Sequence, residues 1–138
     1  MTARRHPFRR YGPAAMMVAL IPALSLLPSG FFRSIAGPPA FPGMDKLVHA
    51  LMYAALAAAL FHALSSGARV RFSRVICLVA AASLYGLAME VCQKALTRSR
   101  AFDPLDALAN AVGALLCAVI LFAFARFRRA RAAPLQQF

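Results

Sequence analysis

The chain has 138 residues, of which 62% are hydrophobic and only 14% charged. A soluble domain of this size is nearer half apolar and a quarter charged, so the composition points to lipid as the solvent, and the mean hydropathy of +0.67 agrees. Sixteen Lys and Arg against four Asp and Glu leave a net charge of +12. In a soluble protein that excess would suggest nucleic acid, but here the bases lie between apolar segments rather than along one basic face. Composition excludes a nucleic-acid partner, a secreted disulfide scaffold, a disordered tail and a multidomain enzyme.

A bilayer core of about 30 Å takes about 20 mostly apolar helical residues to cross. In chain order, the windows that satisfy this are 14–32, 47–65, 75–92 and 105–125. They predict a single all-α membrane domain over 1–138 with four transmembrane helices and basic tails at 1–12 and 126–138. Pro22 and Pro28 interrupt the first window, which predicts a kinked helix. The same stretch also has the form of a signal peptide, with Arg4, Arg5, Arg9 and Arg10 ahead of a short apolar run and small residues near Ala36. The run 29–43, punctuated by Gly30, Gly37, Pro38, Pro39, Pro42 and Gly43, predicts a non-helical connection. Cys77, Cys92 and Cys117 all fall inside predicted spans without ligand spacing and read as small apolar residues.

The short connections give the orientation. Arg4, Arg5, Arg9 and Arg10 precede the first span, Arg69, Arg71 and Arg74 join the second to the third, and Arg126, Arg128, Arg129 and Arg131 follow the fourth. Only Arg33, Lys46, Lys94, Arg98 and Arg100 lie on the opposite side. The positive-inside rule therefore predicts both termini in the cytoplasm of a multi-pass protein of a bacterial cytoplasmic membrane. The cytoplasmic arginines set this topology and meet anionic lipid headgroups.

All four carboxylates, Asp45, Glu90, Asp103 and Asp106, fall on the outer side of this topology. Each has polar company at helical spacing. Asp45, His49 and Tyr53 share a face of the second span, as do Gly86, Glu90 and Gln93 on the third, and Asp106, Asn110, Gly113 and Cys117 on the fourth. Polar stripes facing lipid would cost several kcal/mol each. They are expected to face one another as a polar cluster at the outer ends of helices 2, 3 and 4, roofed by the loop 94–102.

Structural roles account for part of this set. Asp103, Pro104 and Asp106 have the form of an N-cap, an N1 proline and an N3 acid, and Asp45 is placed to cap the second helix. Gly86 and Gly113 suit close helix packing. Glu90 differs, because it lies near the C-terminal end of its helix, where the dipole disfavours an anion, inside an apolar run. It needs a cationic or hydrogen-bonding partner, for which His49, Arg98 and Arg100 are candidates. His49, an intramembrane histidine beside carboxylates, suits a catalytic base, a proton carrier or a hydrogen-bonded tie. One histidine among hard carboxylates has no recognisable zinc spacing, so neither a metal nor a cofactor is expected. His6 and His62 have no cluster and no assigned role.

These residues make the sequence resemble the VanZ-like family of small bacterial membrane proteins. The segments that carry the likeness are Asp45-Lys46-Leu47-Val48-His49 with Tyr53, Glu90-Val91-Cys92-Gln93, Arg100-Ala101-Phe102-Asp103-Pro104-Leu105-Asp106, and Asn110 with Gly113. Ser25-Leu26-Leu27-Pro28 looks like the end of that family's first helix, which argues against a cleaved signal peptide. The chain departs from the pattern at Ala50, where an aromatic is frequent, in a slightly long loop between Gln93 and Arg100, and at Cys117 in place of a second glycine. The resemblance implies a cell-envelope protein linked to glycopeptide resistance of the teicoplanin type or to envelope maintenance.

Three functions are compatible with the residues. In the first, an outward-facing site of Lys46, Tyr53, Gln93, Arg100 and Asn110, beside the acids and His49, binds a lipid headgroup or cell-wall-related ligand. In the second, the chain is an enzyme acting on a lipid-linked substrate, with His49 as base, Asp45 orienting it, and Glu90 and Asp106 managing protons or a metal. The third is a small proton-coupled exporter, although its acids would then be expected nearer the midplane.

Overall fold

The computed structural model describes residues 7–27, 31, 34–35, 37–65, 70–97 and 102–132. Four long helices organise them: α1 (Pro7–Ser25), α2 (Met44–Ser65), α3 (Phe72–Leu96) and α4 (Pro104–Ala132). Three of these, α2, α3 and α4, are long and apolar enough to cross a membrane. Their middles agree with an apolar solvent, since Leu84, Leu116 and Ile120 are each more than half exposed.

The first helix differs from the expected window 14–32. It starts at Pro7, takes Arg9 and Arg10 into its first turns, and ends at Ser25 with Leu26 and Leu27 in a turn. From Arg10 to Ser25 it rises only about 23 Å, short of a full hydrocarbon core. The expected tails also shift, because α1 begins inside 1–12 and α4 carries Arg126, Arg128, Arg129 and Arg131 as helix. These arginines lie over Phe122, Phe124 and Phe127, with guanidinium to ring-centroid distances of 5.9, 5.9 and 4.4 Å for the first, second and fourth. The four-residue spacing of each pair lets the helix continue past its apolar run. The connection expected to be irregular over 29–43 has helical backbone at Phe31, Ser34 and Ile35, and becomes irregular from Gly37, where the glycine and proline punctuation gathers.

α2 is the central helix and touches α1, α3 and α4. Its neighbours come close because the buried positions are small: Ala57, Ala59 and Ala63 on α2, Ala82 on α3, and Gly113, Ala114 and Ala118 on α4. Small side chains raise van der Waals contact between helices that gain nothing from leaving lipid. The tightest approach is at Gly113, where an added Cβ would fall inside the backbone of Ala50.

Pro22 lies inside α1 and has no amide hydrogen to give the Val18 carbonyl four residues before it. The Tyr85 hydroxyl of α3 donates to that carbonyl at 2.7 Å. A neighbouring helix thus satisfies the group that the proline left open, as a water-free environment requires. Two further ties fix α1. Arg10 Nε donates to the Ala63 carbonyl at the end of α2 at 2.9 Å, and Gln93 Nε2 donates to the Ser25 carbonyl at the end of α1 at 3.0 Å. Both complete carbonyls that a helix end cannot pair by itself, and together they lay α1 antiparallel along α2. Tyr85→Phe is expected to loosen α1 and cost about 1 kcal/mol, read as a lower unfolding midpoint in detergent micelles. An unchanged midpoint would show that the carbonyl finds another donor.

Candidate functional site

The polar residues gather where the start of α2, the end of α3 and the start of α4 meet. The arginines of α1, α3 and α4 lie toward the other end, where Arg10 reaches Ala63 and Phe72 packs on Phe122 at 5.9 Å between ring centroids. The site has an outer, partly exposed layer and an inner, buried one.

Lys46 organises the outer layer. Its ammonium donates to Asp45 Oδ2 and Asp103 Oδ2 at 3.0 Å and to Asp106 Oδ1 at 3.2 Å, so all three of its hydrogens are used. Asp103 also caps α4, accepting the Leu105 amide on Oδ1 at 2.8 Å. That amide first, and the Lys46 ammonium second, hold the Asp103 carboxyl below the usual carboxylate range. Asp45 turns toward Lys46, and its described bonds are with that residue rather than with His49. The expectation that Asp45 orients His49 is therefore replaced, because a neighbouring ammonium offers a carboxylate a stronger partner than an imidazole one turn away.

The inner layer centres on His49, which is buried together with Glu90, Gln93 and Asn110. His49 Nδ1 is 3.2 Å from Asn110 Oδ1 and 3.7 Å from Glu90 Oε1. Asn110 Oδ1 and Glu90 Oε1 thus both flank Nδ1 as acceptors. Nε2 faces Asp106 Oδ2 at 3.8 Å, beyond hydrogen-bond reach. Glu90 is 1% exposed, yet among the described residues its Oε1 has no hydrogen-bond partner, and the same holds for Asn110 Nδ2 and the Tyr53 hydroxyl. Native interiors leave few such groups open.

Glycine permits this crowding at Gly86, whose missing Cβ would meet the side chains of Asn110 at 3.0 Å and Tyr53 at 3.1 Å. The residues expected to bind therefore divide. Lys46 and Gln93 are engaged in ties between helices, Tyr53 and Asn110 keep open polar atoms, and Arg100, with Arg98, lies outside the described residues. Sequence reasoning missed the structural use of Tyr85, although Pro22 signalled that Val18 would need a donor from elsewhere.

Comparison of the chain with family models, with curated proteins and with solved structures gave no match.

Proposed function

We propose that the chain is a VanZ-like integral membrane protein of the bacterial cell envelope whose polar bundle end binds a lipid headgroup or a cell-wall-related ligand. The observation that carries this reading is the trio of buried atoms without a hydrogen-bond partner among the described residues, one acceptor on Glu90 and donors on Tyr53 and Asn110. A site offering both kinds of group from three helices suits a polar ligand better than a purely structural knot, in which they would be paired. In this reading the chain crosses the cytoplasmic membrane four times, with α1 and the apolar residues that follow it, to Phe32, supplying the first crossing. The arginine-rich end is cytoplasmic by the positive-inside rule, so the polar site faces outward.

In cells that depend on the chain, Glu90→Gln is expected to reduce resistance to glycopeptides or envelope stress to the level of cells lacking it, at unchanged protein abundance. Unaltered resistance at normal abundance would refute the reading. An enzymatic role is the second reading, favoured by a buried imidazole set between Asn110 on Nδ1 and the Asp106 carboxylate on the Nε2 side, groups suited to acid–base work. Turnover of a labelled lipid-linked substrate by the purified protein, lost in His49→Gln, would select this second reading. Binding without turnover would select the first.

A further inference from the structure

We propose that His49, Glu90 and Asp106 form a three-ligand site for a first-row divalent metal ion, with Zn2+ the best fit and Mn2+ next. The inference goes beyond the ligand proposed above and does not depend on it. One donor atom from each residue lies within 4.8 Å of the others, on three different helices. Bonds of about 2.1 Å would bring donors to about 3.4 Å apart in a tetrahedron, so side-chain rotations of about an ångström complete the shell.

Three observations beyond the clustering point to a cation. Glu90 Oε1 is an acceptor with no hydrogen-bond partner among the described residues, on a side chain that is 1% exposed, and it lies 3.7 Å from the His49 ring. His49 Nε2 and Asp106 Oδ2 face each other at 3.8 Å, longer than a hydrogen bond and close to the donor spacing of a metal shell. The remaining atoms of two ligands are also already held. His49 Nδ1 lies 3.2 Å from Asn110 Oδ1, and the Lys46 ammonium donates to Asp106 Oδ1. Metal sites orient their ligands through such outer partners, a histidine donating its other N–H to a carbonyl and a carboxylate held by hydrogen bonds.

The chemistry of the donors narrows the ion. Two carboxylates supply two negative charges, matching a divalent cation. The imidazole favours zinc or iron over magnesium and calcium, which prefer all-oxygen shells, while the two carboxylates also suit manganese. Three protein ligands leave a coordination position open for water or a ligand, as in catalytic rather than structural zinc sites. Linear spacing gave no sign of this, since no two of the three ligands share a helix.

The full chain, purified untagged in detergent and stripped with chelator, would be titrated with Zn2+ and with Mn2+ against a chromophoric competitor, and its bound metal counted by mass spectrometry. One equivalent per chain is expected, with Glu90→Gln and Asp106→Asn each weakening it at least about tenfold. His62→Gln, at the other end of α2, is expected to leave binding unchanged. In wild-type protein, Zn2+ is also expected to shift the Nε2 resonance of His49 in nitrogen-15 spectra while the Nδ1 proton remains, a readout that needs no variant to fold. Absence of stoichiometric binding at micromolar ion, an unshifted His49 ring, or full binding by folded Glu90→Gln and Asp106→Asn would each overturn the site.

Discussion

Gly113→Ala is expected to destabilise the bundle by about 3 kcal/mol, a large effect for one methyl group. The added Cβ would fall inside the backbone of Ala50, and backbone cannot rotate aside as a side chain can, so α2 and α4 must separate. His49 adjoins Ala50 and Asn110 lies about one turn before Gly113, so their 3.2 Å approach would open with that contact. Gly86→Ala provides the contrast. Its Cβ would meet only the side chains of Asn110 and Tyr53, at 3.0 to 3.1 Å, and these can shift by a few tenths of an ångström. About 1 kcal/mol is expected there. Unfolding of both variants in matched detergent checks the pair, and equal losses would mean that the approach of α2 to α4 does not limit the packing.

Glu90→Met is expected to have the opposite sign. In chelator-treated protein it should raise stability by about 1–3 kcal/mol while abolishing ion binding. The reason is that Glu90 keeps an unpartnered oxygen in the interior, and methionine fills a similar volume without a polar atom to desolvate. His49 would retain Asn110 on Nδ1. Stability gained on removing a buried acid is the mark of a group retained for function. A clear loss of stability in the metal-free state would instead make Glu90 a structural tie, and would weaken both the proposed ligand site and the proposed ion site.

The helical class and the three apolar spans were legible in the sequence because lipid demands long apolar runs, and such runs survive any arrangement of their neighbours. Helical spacing also placed His49 with Tyr53, and Asp106 with Asn110 and Gly113, on common faces, since these relations lie within one helix. The first helix was misplaced because hydropathy cannot see that Arg10 is satisfied at the end of α2 and that Ser25 is met by Gln93. Both are contacts between elements far apart in the chain.

By itself, then, the sequence determined what the chain dissolves in, which residues share a helix face, and that its four acids avoid the arginine-rich connections. Only the tertiary structure decided what each polar group does. Lys46, which in sequence is a free cation, is consumed by three carboxylates, two of them from beyond its own helix. Glu90, which in sequence is one acid among four, is buried with an oxygen that has no hydrogen-bond partner among the described residues. The physical reason is that a charge or hydrogen-bonding group takes its role from partners within a few ångströms, and in a bundle most of those partners come from other helices.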